Sequence, residues 1–434
     1  MTNLVFLPTR YYPSISGAEF YIQRMAEILK SQYNYNIDVF TSDAIDFNAL
    51  RNLNGRRIDN KNKFFEYVNN IKINRFPINY DSTEEEILKI LKNISAYTAL
   101  NLSDQTALKF IENGPCMTEL LNSFLLKKPK NYDLVHTTFY PYFNLILTLV
   151  LGNIIKKPTF CTPFFHYSNP RYLDSSLIEV LSKFDVIIAC TNLEKKILTE
   201  KFEINHEKIE VIPMGVDFEK FGNGNVKVKK KDYYFRKKFF HEEEINYKLV
   251  LFCGNKNYEK GALSILKAIP YILKKTKKVY FVFIGPPTLA FNRELSKIKK
   301  MDYVRIINLT PDNLTGYFDK KKIKAFKEAD LYLMPSRSDA FGISFLEAWA
   351  AGKPVIGARI GATIEVIKEN VDGLLVEFDN PYDIANKVIK LLKNKRLRKK
   401  LGIAGNLRVS ENYTWNIITK KTHDLYQSRI NNIL

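Results

Sequence analysis

Short apolar, β-branched runs recur along the whole chain. In the first half they are Leu4–Leu7, Ile37–Phe40, Ile71–Phe76, Leu134–Thr138, Thr159–Phe165, Val186–Ala189 and Ile209–Pro213. In the second half they are Leu249–Cys253, Val279–Ile284, Val304–Leu309, Leu331–Met334, Pro354–Ala358 and Gly373–Val376. Between them lie stretches with helical spacing, among them Ala18–Lys30, Ser176–Ser182, Leu193–Lys201, Ala262–Lys275, Ile323–Glu328 and Phe345–Ala351. Continuous rather than alternating apolar strands mark parallel sheets covered on both faces. Two such series, one in each half, predict an α/β chain of two doubly wound domains.

The break between the series falls just after Val211-Ile212-Pro213-Met214-Gly215. Gly222-Asn223-Gly224-Asn225 and a basic segment from Lys227 to Lys238 follow, the composition of a linker. The expected domains are therefore 1–215 and 216–414, with an amphipathic helix over 415–434 packing back on the first. The region from Ile45 to Pro115 is the least regular and carries no motif.

Composition narrows the class. A length of 434 residues exceeds what one core supports and fits two domains. The 46% apolar and 13% aromatic content excludes a disordered chain. Cys116, Cys161, Cys190 and Cys253 are scattered and form no CxxC pair, which argues against a zinc site or a disulfide framework and for a reducing, cytoplasmic setting. The apolar stretch Phe143–Ile155 is shorter than the ~20 residues a membrane span needs, so it reads as a buried helix.

The net charge of +20 favours an anionic partner: a phosphorylated small molecule, a lipid surface on the inner membrane face, or nucleic acid. A genome-wide lysine excess would explain part of the same number. No nucleic-acid module is present, neither an RNP pattern nor zinc-finger spacing nor a basic zipper. The stretch Lys227–Phe240 interleaves cations with aromatics, which suits either a solvated helix packed on the sheet or an anionic surface.

Four segments carry candidate chemistry. In Leu331–Ser336 followed by Asp339-Ala-Phe-Gly342-Ile-Ser344-Phe-Leu-Glu347, a strand ends, a loop brings an acid, and a helix starts at a glycine. The carboxyl end of such a strand faces the ligand crevice of a doubly wound domain. The helix start offers unpaired N–H groups to a phosphate, and Gly342 permits close approach. Asp339 before the helix and Glu347 within it could grip hydroxyls on either side of a bound phosphate. In Gly254-Asn255-Lys256-Asn257-Tyr258-Glu259-Lys260-Gly261, another strand leads into a helix, and Lys260 is placed to meet an anion. The loop Tyr12–Glu19 joins the first strand and helix through small residues, including Ser16 and Gly17. His136 and His166 stand at successive strand ends.

The pattern Pro335-Ser336 … Asp339-Ala-Phe-Gly342 … Glu347-Ala-Trp-Ala-Ala-Gly352-Lys-Pro354-Val355 resembles retaining glycosyltransferases of family 4. Gly361-Ala362-Thr363-Ile364-Glu365 and Asp372-Gly373-Leu374-Leu375-Val376 continue the resemblance over nearly the whole chain. It implies a GT-B fold, two Rossmann-like domains facing a central cleft, with the acceptor on the N-terminal side and the donor on the C-terminal side. By resemblance Asp339 stands at the acid beside the reacting sugar carbon, though the family has Glu there. Glu347 stands at the acid that holds the ribose, and Gly342, Ile343 and Ser344 donate N–H groups to the diphosphate. Lys260 matches the lysine of the leaving-group clamp. Its arginine position is Asn255, for which Lys256 could substitute.

Gly17 and Glu19 match the glycine-rich N-terminal motif, Gly17 toward the donor and Glu19 toward the acceptor. His166 matches the functional histidine, and Arg171 falls where some members bind an anionic acceptor. The implied reaction moves a hexosyl group, with retention, from a GDP- or UDP-sugar to a saccharide, lipid-linked or phosphorylated acceptor, with no metal or other cofactor. GDP-mannose, UDP-glucose and UDP-N-acetylglucosamine all remain open as donors. A sugar-nucleotide 2-epimerase shares the architecture, and a non-catalytic partner subunit would account for Asn255 and Asp339.

Overall fold

The computed structural model describes residues 1–14, 16–59, 65–126, 131–222 and 233–431. Residues 223–232, in the segment expected between the domains, lie outside the described residues, as does the side chain of Arg171. The chain forms two compact units. One comprises Met1–Pro213 with Trp415–Leu434, the other Met214–Thr414.

The first unit is built on eight strands: β1 (Asn3–Leu7), β2 (Asn36–Ser42), β3 (Glu66–Val68), β4 (Ile71–Phe76), β5 (Leu134–Thr138), β6 (Thr159–Thr162), β7 (Val186–Ala189) and β8 (Ile209–Val211). Their order is β3-β4-β2-β1-β5-β6-β7-β8. All pairings are parallel except that of β3 with β4. The strand expected over Thr159–Phe165 stops at Thr162, because Pro163 follows and Phe164 turns to φ +48°.

The region read as least regular, Ile45–Pro115, contains the helices Glu84–Lys92 and Asp104–Asn113. Thr83 and Glu86 close a reciprocal capping box at the start of the first. The Asn144–Ile155 helix is buried along most of its length. The Trp415–Asn431 helix belongs to this unit: Trp415 meets Phe20 and Tyr21 of the Gly17–Tyr33 helix, and Tyr426 packs edge-on against Phe160.

The second unit carries six parallel strands: β9 (Lys248–Cys253), β10 (Val279–Ile284), β11 (Ile306–Leu309), β12 (Leu331–Met334), β13 (Val355–Ala358) and β14 (Gly373–Val376). Their order is β11-β10-β9-β12-β13-β14. Both faces are covered, since every residue of β10, β12, β13 and β14 is buried. Trp349 anchors the Lys395–Asn412 helix, whose Gly405 lies so close that a Cβ there would stand 1.9 Å from the indole. No helix among the described residues is long and apolar enough to cross a membrane.

Candidate functional site

Each sheet reverses its direction of growth once. In the second unit the chain builds outward from β9 through β10 to β11, then returns to the other side of β9 with β12. Ligands of doubly wound sheets bind outside the carboxyl ends of the strands at such a reversal. Here those ends are Cys253 and Met334, and the loops that leave them are 254–261 and 335–342.

The two loops are stitched together around Glu259. Its backbone carbonyl accepts from the Arg337 N–H (2.8 Å) and the Ser336 hydroxyl (3.1 Å), and its carboxylate takes both arms of the Arg337 guanidinium. Gly261 is required at the seam. At φ +72° it begins the Ala262–Leu273 helix, and a Cβ would sit 2.2 Å from the Pro335 carbonyl oxygen, a backbone atom with nowhere to go.

This stitching brings Lys260 to Asp339. The ammonium donates to Asp339 Oδ1 at 2.7 Å and to the Ser338 carbonyl at 2.8 Å. Asp339 Oδ2 is buried and has no hydrogen-bond partner. A buried carboxylate oxygen left open costs free energy unless something donates to it, so this atom is an acceptor suited to a ligand hydroxyl. Gly342, at φ +93°, then opens the Ile343–Ala350 helix. The Phe345 N–H bonds back to the Gly342 carbonyl at 2.9 Å, while the N–H groups of Ile343 and Ser344 have no acceptor within the helix and form the positive end of its dipole. Ile343 is half-buried, and the Ser344 hydroxyl turns inward to the Met334 sulfur at 3.5 Å.

Glu347 lies one turn further on and is buried. Its Oε1 accepts from the buried Lys322 ammonium at 2.8 Å. That ammonium sits 3.7 Å from the centre of the Tyr317 ring. Lys322 was not legible as a site residue, because it lies on the Lys320–Glu328 helix, 25 residues from its partner.

Two other residues of the first loop are placed differently. Asn255 is exposed. Lys256, the substitute considered for the missing arginine, turns into the core instead. Its ammonium bonds the Asn308 side chain and the Leu309 carbonyl, and burial lowers its pKa to about 8. The cation that loop 254–261 presents beside Asp339 is therefore Lys260.

In the first unit the reversal falls between β1 and β5. Gly17 opens the helix after β1, with Ser16 at its N-cap. Glu19, one turn in, is buried against Arg10 at 2.6 Å and also accepts from the Ser16 hydroxyl. Arg10 stacks on the Phe47 ring at 3.6 Å. His166 follows β6, is half-buried, and lies 5.4 Å from the Tyr172 ring. His136 belongs to the core: both ring nitrogens are bonded, to the hydroxyls of Tyr426 and Thr162, and burial pushes its pKa down to about 3.

Comparison with known proteins agrees with this geometry. Residues 235–408 match the family model "Glycosyl transferases group 1", and residues 90–220 match "Glycosyltransferase Family 4". An uncharacterized glycosyltransferase of Methanocaldococcus jannaschii is 22% identical, with 99% of each chain covered. The chain is a GT-B glycosyltransferase. Among solved structures, sucrose-phosphate synthase of Thermosynechococcus elongatus aligns with a TM-score of 0.70 at 15% identity, covering 99% of both chains. HepE of Anabaena, crystallised with UDP and glucose, aligns at 0.68 and 13%, covering 99% of this chain and all of that one. At such identities the likeness speaks for the fold. The GT-B glycosyltransferase thus carries its group 1 domain on the unit that holds Lys260, Asp339 and Glu347.

Proposed function

We propose that this glycosyltransferase moves a hexosyl group from a nucleotide-diphospho-sugar to an acceptor hydroxyl, with retention of configuration. The observation that carries the reading is the Lys260–Asp339 pair at the sheet reversal, with one carboxylate oxygen left open. The bond from the anomeric carbon to the diphosphate breaks, and a bond to the acceptor oxygen forms. The acceptor proton leaves on the departing diphosphate. Such a reaction is limited by how well the leaving charge is stabilised, and a preorganised cation and helix N-terminus supply that stabilisation. Lys260 and the N–H groups of Gly342, Ile343 and Ser344 take this part. Asp339 Oδ2 holds a sugar hydroxyl beside the reacting carbon, and Glu347 takes the ribose.

The second unit is then the donor domain. The first, with Glu19, His166 and Arg171, serves the acceptor. That HepE binds UDP and glucose on the same fold supports a UDP-sugar as the first donor to try. The acceptor class this reading favours is an anionic one, lipid-linked or phosphorylated, in keeping with the charge of +20.

One observation favours a weaker alternative, a subunit that binds nucleotide without turnover: the position of the missing arginine is filled by exposed Asn255, and Lys256 is committed to the core. Incubation with UDP- and GDP-sugars and a set of saccharide and lipid-phosphate acceptors decides, with the product anomer read by NMR. Transfer with retention supports the proposal. Tight nucleotide binding without transfer supports the alternative, and conversion of the sugar with no acceptor present points to epimerisation. If no nucleotide sugar binds, all three readings fail.

A further inference from the structure

From Ile384 to Ser410 the chain carries nine lysines and arginines and no acid. Three of these cations are spoken for. Lys387 faces Glu369, Arg398 bonds the Leu391 and Leu392 carbonyls and faces Asp330, and Arg408 pairs with Asp372. The other six are Lys390, Lys393, Lys395, Arg396, Lys399 and Lys400, all exposed, and none makes an ion pair among the described residues. They run from the end of the Pro381–Lys393 helix onto the first turns of the Lys395–Asn412 helix. Elsewhere on the surface some lysines stand beside acids, as Lys420 does with Asp424, Lys297 with Glu294 and Lys92 with Asp104. Others, such as Lys274, Lys275, Lys277 and Lys278, are exposed and make no ion pair among the described residues, so the cations alone do not set this run apart; the aliphatic side chains that continue it do.

The same helix face then changes character. Lys395, Lys399, Ile403 and Leu407 follow one another at four-residue spacing, which places them in one stripe. Ile403 is 57% exposed and Leu407 56%, large aliphatic side chains with nothing upon them. Val371, 52% exposed, lines a shallow pocket together with Leu407. The opposite face is fixed in the core through Arg398, Leu401, Gly405 and Val409.

We propose that this face of the second unit docks on an anionic lipid surface, the six cations resting among the headgroups and Ile403 and Leu407 entering the interface. Charge complementarity chooses an anionic partner. The aliphatic pair chooses a bilayer over a nucleic acid, because an apolar side chain gains by leaving water for the acyl boundary and gains nothing against a phosphate backbone. The inference does not depend on the donor or acceptor assigned above.

Co-sedimentation of the full chain with vesicles tests it. Vesicles of phosphatidylcholine alone are compared with vesicles containing about a third phosphatidylglycerol, at low and at physiological salt. Binding is expected to the anionic vesicles only and to weaken with salt. The variant Lys395→Gln/Arg396→Gln/Lys399→Gln/Lys400→Gln is expected to lose at least about tenfold in affinity, since each cation near an anionic surface contributes measurably. The control Arg293→Gln/Lys297→Gln/Lys299→Gln/Lys300→Gln, which removes equal charge elsewhere, should lose about threefold or less. Ile403→Ser/Leu407→Ser keeps the charge and should abolish the binding that survives physiological salt.

Failure of the wild-type chain to bind anionic vesicles, or equal losses in the two charge variants, would overturn the proposal. An aliphatic variant that binds like wild type while single-stranded RNA binds more tightly than the vesicles would assign the face to nucleic acid instead.

Discussion

The Lys322 ammonium lies 2.8 Å from Glu347 Oε1, and both side chains are buried. An ion pair taken out of water is stable only while both partners remain, because removal of one leaves the other charged and desolvated. The Tyr317 ring lies 3.7 Å from the ammonium and covers it. Glu347 is thereby kept in one orientation, which a hydrogen bond to ribose hydroxyls requires.

Lys322→Met is therefore expected to destabilise the second unit by about 3–5 kcal/mol. The double variant Lys322→Met/Glu347→Gln should recover a good part of that, since no lone charge remains. Urea unfolding of the two variants checks the first point. Calorimetric titration with UDP, GDP and their 2′-deoxy forms checks the second: the double variant should fold, bind the ribose forms about tenfold or more weakly, and no longer prefer them to the deoxy forms, as a lost charge-assisted hydrogen bond of about 1.5–3 kcal/mol demands. A double variant that still prefers ribose would remove Glu347 from the site.

At the neighbouring pair the question is reach. Asp339 is one methylene shorter than the acid the family pattern carries, yet its Oδ1 already meets Lys260, and Oδ2 has no partner. One methylene more shifts both oxygens away from these positions. Asp339→Glu is expected to lower kcat/KM by up to about a hundredfold through misplacement of the sugar, with the fold intact. Lys260→Met removes the cation that meets the leaving charge and should lower kcat by about 10²–10³ with a small change in donor KM. Steady-state rates with the preferred nucleotide sugar measure both. If Asp339→Glu were the faster enzyme, the geometry described for Oδ2 would be wrong.

How much of this was readable beforehand follows from burial. Parallel strands covered on both faces are apolar throughout, so β7, β10, β12 and β14 stand in the sequence at their true limits. β4 and β5 also stand at their limits, but β4 alternates buried with half-buried positions and β5 ends in His136-Thr137-Thr138. The edge strand β3 is half in water, three residues long and antiparallel, and its Glu-Tyr-Val leaves no such trace. The helix Glu84–Lys92 did leave one, the Thr83-x-x-Glu86 box, inside a region that otherwise reads as irregular. At the site, the order of strand, glycine, helix and acids is local and was legible. Pairing between elements was not: Lys322 finds Glu347, Arg10 finds Glu19 and His136 finds Tyr426 only when the sheets and helices are assembled.

The Arg10–Glu19 pair makes the first unit testable on the same logic. Arg10 is buried, donates to the Ile45 carbonyl at 3.0 Å and stacks on Phe47, so it stays where it is when Glu19 changes. Glu19→Gln leaves that guanidinium without its counter-charge and is expected to lower stability by about 3–5 kcal/mol. Glu19→Gln with Arg10→Met should restore most of it. If Glu19 serves an acceptor as well, the double variant folds but binds acceptor poorly, and donor affinity is unchanged. Thermal unfolding and separate titrations of donor and acceptor divide the two roles.

His136 supplies the pH dependence. The unfolded chain's imidazole titrates near the ordinary value of about 6.5, whereas burial holds the folded pKa at about 3, and the hydroxyls of Tyr426 and Thr162 satisfy the neutral ring. Below about pH 6.5 the unfolded state binds a proton that the folded state refuses. The stabilisation this residue provides is therefore complete above that pH and is lost as pH falls toward 3, by about 1.4 kcal/mol for each unit. His136→Gln keeps a neutral polar side chain in the same place and has no such proton. At pH 7 the variant is expected to be the less stable protein. The gap should close steadily through pH 6, 5 and 4, because only the wild type pays for its unprotonated ring. Carboxylates that titrate over the same range are common to both proteins and cancel in the difference. Urea midpoints measured in parallel at these four pH values give the result directly, and a gap that stays constant would mean that His136 is hydrated or charged in the folded state.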